Sequence, residues 1–102
     1  PDYYDSLSDS YRERRDLLYE GLVDAGLRPE RPDGAYYMMA RYPTEETDTE
    51  FALRLVREAG VATVPGSSFY VEGDADWIRF TFSRGRETVE EATERIAEHR
   101  WW

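Results

Sequence analysis

The stretch Trp77-Ile78-Arg79-Phe80-Thr81-Phe82 alternates strictly between two kinds of side chain, and this constrains the fold more than any other feature of the chain. Successive side chains of a strand point to opposite faces. Ile78, Phe80 and Phe82 therefore share one face, and Trp77, Arg79 and Thr81 share the other. The first face is apolar and should meet helices. The second carries a guanidinium in mid-strand, which cannot be packed against apolar surface without a partner for its charge.

Helices to cover the apolar face can be read on both sides of this strand. The first is expected over residues 10–25, with Ser10-Tyr11-Arg12-Glu13 as a capping box and Tyr11, Leu18, Leu22 and Ala25 as one apolar stripe. Tyr3, Tyr4 and Leu7 fit an earlier turn. Gly26 suits a left-handed cap, and Pro29 forbids continuation. The second helix is expected over residues 48–59, opened by Thr47-Asp48-Thr49-Glu50 and closed by Gly60, with Phe51, Ala52, Leu55, Val56 and Ala59 inward. Gly85 or Thr88 opens a third, with Val89, Ala92, Thr93 and Ile96 on one face.

Two further strands are expected. Pro32-Asp33-Gly34 signals a turn, and the run Ala35 to Tyr42 after it is apolar on both faces, which predicts a central strand covered on both sides. Val61-Ala62-Thr63-Val64 predicts a short strand stopped by Pro65-Gly66. Residues 67–71 read as irregular and 72–76 as a polar turn. The order α-β-α-β-β-α predicts a small two-layer α+β sandwich, helices on one face of a mostly antiparallel sheet of three to four strands. At 102 residues, one domain over 1–102 with a modest core is the natural expectation.

Composition excludes several functions. The chain has no Cys, hence no disulfide frame and no thiolate nucleophile, and no Lys, hence no Schiff base from a side chain. A single His, His99, cannot build a multi-histidine metal site, and no metal is expected. The net charge is −9, which disfavours nucleic acid and anionic membranes as partners. No apolar run approaches the roughly 18 residues of a membrane span, and no signal-peptide pattern opens the chain, so a cytoplasmic location is expected. The start at Pro1 suggests a piece of a longer protein. An acid-rich surface whose only cations besides His are arginines fits a high-salt protein, although GC-rich coding would favour Arg over Lys as well.

Arg79 is the main site candidate, and chemistry alone leaves two readings open. It sits on an exposed face, solvated or paired with an acid, or it seats a ligand anion through its planar fork of donors, which matches a carboxylate in a way Lys cannot. Glu45-Glu46 and Glu90-Glu91 read as solvated charges, His99 as a structural or dipole-related residue of a last helical turn, and Met38-Met39 as core. Tyr36, Tyr37, Tyr42, Phe69, Tyr70 and Trp77 are many aromatics for one small core. Some are expected to face a partner domain, and self-association of the isolated chain through that face is expected too.

Four segments together resemble a known family. Tyr11-Arg12-Glu13-Arg14-Arg15-Asp16-Leu17-Leu18, followed by Gly21-Leu22, resembles the helix entering the small domain of class I/II aminotransferases, the fold-type-I enzymes that use pyridoxal phosphate. Pro32-Asp33-Gly34-Ala35-Tyr36-Tyr37 is similar to that family's P-x-G-A-F-Y strand. Phe51-Ala52 through Gly60-Val61-Ala62-Thr63-Val64-Pro65-Gly66-Ser67-Ser68-Phe69 is similar to its helix and G-V-x-V-x-P-G-x-x-F segment. Trp77 to Ser83 resembles its x-h-R-h-x-h strand. The match runs in order over residues 11–96.

The resemblance implies that the chain is the small C-terminal domain of a larger aminotransferase, aspartate aminotransferase-like in motif style. It implies that Arg79 holds the α-carboxylate of the amino acid or 2-oxo acid substrate, and that Gly34, Ser67, Ser68 and Phe69 lie near the active-site mouth. Tyr70 stands where the family often has Gly. The family's large domain carries the Schiff-base lysine and most of the pyridoxal phosphate site. Hence no catalytic residue and no cofactor are expected here, the isolated chain is expected to be inactive, and the parent is expected to be a homodimer. The competing reading is a stand-alone α+β module that recognises a carboxylate ligand.

Overall fold

Helix α1 covers Asp2–Asp24 in the computed structural model, which describes residues 2–32, 34–68, 77–82 and 85–102. Leu18, Leu22 and Ala25 are buried and Tyr11 packs against the core, as the spacing predicts. The start differs from expectation. Ser10 lies inside the helix and caps no terminus. No breaker stands between Asp2 and Ser10, so adding turns to an existing helix costs less than stopping it. The end is as expected: Gly26 has φ 94°, and the Leu27 N–H donates to Leu22 O at 2.9 Å.

The chain then forms β1 (Arg28–Pro29), β2 (Tyr37–Arg41) and α2 (Asp48–Arg54), which continues as a π-helical turn over Leu55–Ala59. After these come β3 (Val64–Pro65), a 3-10 turn (Gly66–Ser68), β4 (Trp77–Thr81) and α3 (Arg86–His99). The Thr47 hydroxyl caps α2 by accepting the Glu50 N–H at 3.2 Å. The four strands form one antiparallel sheet in the order β1-β2-β4-β3. The small α+β sandwich stands, but the element order is α-β-β-α-β-β-α. The added strand β1 has two residues, too few to show alternation. The strand expected at 61–64 is displaced to Val64–Pro65; Pro65 is tolerated because β3 is an edge strand.

The core lies between the helices and one face of the sheet. Met38 and Ala40 of β2, Ile78 and Phe80 of β4, and Phe82 just beyond are buried against Leu22, Phe51, Leu55, Val89 and Ile96. Each large side chain so buried contributes about 1.5–3 kcal/mol. The double cover expected for β2 is absent among the described residues: Tyr37 is 45% exposed and Arg41 is exposed, while Met38 is fully buried. The buried residues of β2 and β4 face the helices, and no described helix covers the other face of the sheet, where Tyr37, Arg41 and Thr81 are exposed and Met39, Trp77 and Arg79 half-buried. At the chain's end Trp101 and Trp102 pack beside Phe51, and the Trp102 indole N–H donates to Ala25 O at 2.7 Å. No helix among the described residues is long and apolar enough to cross a membrane.

Helices α1 and α3 approach closely at Gly21, where an added Cβ would lie 2.5 Å from Thr93 Cγ2 and 2.6 Å from Thr93 Cβ. Gly21→Ala gains about 1 kcal/mol of helix propensity, but forcing the helices apart costs about 1–3 kcal/mol. Urea unfolding should show a net loss of stability. A variant more stable than the parent chain would contradict this packing.

A candidate carboxylate site on the open sheet face

The register of the sheet builds the site. Arg79 stands opposite Met39 on one side and Val64 on the other, so the three form a row across β2, β4 and β3. Arg41 stands opposite Trp77 and Arg28 in the next row, and Tyr37 stands opposite Thr81. Paired residues of antiparallel strands share a face, so all of these lie on the open side. This is the separation of faces that the alternation of β4 predicts.

Two guanidinium groups rest on aromatic rings there. Arg79 Cζ lies 5.1 Å from the Tyr37 ring centroid, and Arg41 Cζ lies 4.7 Å from that of Trp77. Such contacts stabilise by about 0.5–1 kcal/mol at exposed sites. Tyr37 is a diagonal neighbour of Arg79, so the Arg79 side chain leans along the strand toward the Thr81 end. A guanidinium carries a planar fork of N–H donors, the group that grips a carboxylate with two bonds. Arg28 and Arg41 lie on the same face as Arg79, in the neighbouring row.

The other expected site residues are spread along the sheet. Gly34 is exposed, with φ 85° and open space where a Cβ would sit. It precedes Tyr37 and so lies toward the Thr81 end of β4. Ser67 follows Pro65, which stands opposite Ile78, and so lies toward the Trp77 end. Arg79 is between them. The Ser68 backbone closes the 3-10 turn; its side chain, Phe69, Tyr70 and the expected turn at 72–76 lie outside the described residues.

The remaining candidates are engaged elsewhere. Glu46 accepts the Trp101 indole N–H at 2.7 Å. Glu90 and Glu91 pair with Arg86 and Arg95 one turn along α3. His99 is exposed on the last turn of that helix, 4.0 Å from Glu98. Met38 is core, whereas Met39 sits beside Arg79 on the open face.

Sequence reasoning missed the part played by Asp48. Read as an acidic first-turn residue, it is only 3% exposed, and its carboxylate accepts the Ser67 N–H at 2.7 Å and the Thr49 N–H at 2.8 Å. Burial alone would raise its pKa, but hydrogen bonds from the Ser67 hydroxyl and N–H and from Thr49 outweigh burial and hold it below the usual carboxyl value. A folded-state pKa below the unfolded one adds stability that is present in full above the unfolded value, near 3.8, and lost as pH falls through the folded value. Asp48→Asn should therefore flatten the acid limb of stability against pH, measured by urea unfolding at neutral and strongly acid pH. An unchanged acid limb would contradict the hydrogen bonding described.

The chain also matches known proteins. The family model for aminotransferase class I and II matches residues 2–96. The LL-diaminopimelate aminotransferase of Syntrophobacter fumaroxidans is 40% identical over 86 residues, covering 84% of this chain and 22% of the relative. The aspartate/prephenate aminotransferase of Thermus thermophilus is 42% identical over 90 residues, covering 87% and 22%. Among solved structures, an aromatic aminotransferase from Pyrococcus horikoshii superposes with a TM-score of 0.83 at 33% identity, over 95% of this chain and 26% of that one. The chain thus spans under a quarter of the length of these curated relatives.

Proposed function

The chain belongs to the class I and II aminotransferase family, and on that premise we propose that it is the small C-terminal domain of a longer transaminase, with Arg79 as the seat of the substrate α-carboxylate. The observation that carries this reading is a single one: a mid-strand arginine on the face of the sheet that no described helix covers, its Cζ over the Tyr37 ring. Amino acid and 2-oxo acid substrates share the α-carboxylate, so one guanidinium fork serves both half-reactions. Its contribution is orientation, which turns a chance encounter into a fixed approach. The aspartate aminotransferase-like assignment is the finer part of the proposal, supported by the aspartate/prephenate relatives.

Pyridoxal phosphate, which the family implies, supplies the electron sink for amino-group transfer. The residues of this chain do not fit it: 102 residues contain no Lys to form an imine with its aldehyde. Its seat belongs to the remainder of the parent, together with the catalytic lysine, and the parent is proposed to be a homodimer.

Two observations test this. The coding sequence upstream should encode a large domain with a lysine-bearing motif; a reading frame that starts immediately before Pro1 would favour the stand-alone carboxylate-binding module. The isolated chain, mixed with pyridoxal phosphate and reduced with borohydride, should show no side-chain adduct by mass spectrometry and no transaminase activity. Turnover by the chain alone would overturn the division of labour.

A further inference from the structure

We propose that Asp48 is a positioning residue for the carboxylate site: by holding the Ser67 amide it fixes β3, and with it Val64, against Arg79. This rests on the assignment of Arg79 made above.

Strand β3 is poorly secured by its own ladder. It has two residues, lies at the sheet edge and pairs with β4 alone. One of the two is Pro65, which has no N–H to donate. Edge strands this short gain little from pairing. Yet Val64 is one of the two residues that flank Arg79 across the open face.

Asp48 supplies the missing hold. Its residue opens α2, a helix secured by the buried Phe51 and Ala52. One carboxylate oxygen accepts the Thr49 N–H at the helix start and the other reaches the Ser67 N–H, nineteen positions along the chain. The negative charge sits at a helix N-terminus, where the dipole favours it. Keeping a carboxylate inside is costly unless it is hydrogen-bonded, and Asp48 is the buried charged residue among the described ones. What this arrangement secures is the place of the segment after β3 relative to a rigid helix. With Ser67 released, Val64 no longer closes the side of the Arg79 row, and the guanidinium gains rotamers that do not face the ligand. Pre-organisation of this kind raises affinity without any contact to the ligand.

The test uses the full-length enzyme with Asp48→Ala, the near-isosteric Asp48→Asn and, in parallel, Arg79→Ala. Amide exchange over residues 64–68 should speed up at least tenfold in both Asp48 variants. KM for the amino acid and for the 2-oxo acid should rise about three- to tenfold, with kcat within twofold. Should Asp48→Ala fail to fold, Asp48→Asn carries the same readouts. Unchanged exchange overturns the proposal, and so does faster exchange with unchanged KM, the outcome of a purely structural role. If Arg79→Ala impairs binding while the Asp48 variants do not, this proposal alone falls. If Arg79→Ala also leaves KM unchanged, the carboxylate assignment falls with it.

Discussion

Arg79→Ala in the full-length enzyme should lower kcat/KM for both the amino acid and the 2-oxo acid by roughly thirty-fold to several thousand-fold. Truncating one partner of a hydrogen-bonded charge pair costs about 2–5 kcal/mol, and each 1.4 kcal/mol is a factor of ten. The loss should fall on both substrates because both carry the group that Arg79 is assigned to hold. Arg79→Lys keeps the charge but loses the fork, and should recover only part of the loss. Stability should fall by far less than for a core truncation, since Arg79 is half-buried on the face of β4 opposite the core. A variant with normal kinetics, or one that unfolds, would remove Arg79 from the role given to it here.

The largest effect on stability should come from Phe51→Ala. Phe51 is fully buried and stacks on Tyr42 with ring centroids 4.4 Å apart. Trp101 and Trp102 lie 5.1 and 5.3 Å away on its other contacts. Truncating such a residue costs about 3–5 kcal/mol, against a total stability of about 5–15 kcal/mol for a chain of this size. The midpoint of thermal unfolding should fall by about 12 °C or more. Leu53, on the same helix but 51% exposed, should tolerate the same truncation within about 0.5 kcal/mol. Similar losses at the two positions would mean that the helix packs with another face inward.

The legible parts of this molecule are those where the signal is periodic or local. The alternation of β4 assigns Ile78, Phe80 and Phe82 to the core face and Arg79 to the opposite one without any structure, because the strand period leaves one choice. The caps at Gly26, Thr47 and Gly60 are local chemistry and stand where expected. The misreadings have physical causes as well. Ser10 and Glu13 have capping-box spacing, but a box caps only where the chain enters a helix. Tyr37 and Met39 look like core by hydropathy, although their face of the sheet is uncovered by any described element. Strand β1 is visible only through its pairing with Arg41 and Ala40. The Asp48 anchor joins the start of α2 to the 3-10 turn after β3, nineteen positions apart, and nothing in the local sequence of either points to the other.

The central claim, that Arg79 binds the substrate α-carboxylate, is tested most directly by a thermodynamic cycle. It pairs Arg79→Ala with replacement of the substrate carboxylate by its carboxamide, and measures equilibrium binding to the full-length protein for all four combinations. Direct contact predicts a coupling energy of about 2 kcal/mol or more, so that the alanine variant no longer distinguishes acid from amide at that position. A coupling near zero, with the variant still preferring the carboxylate as strongly as the wild type, would contradict it.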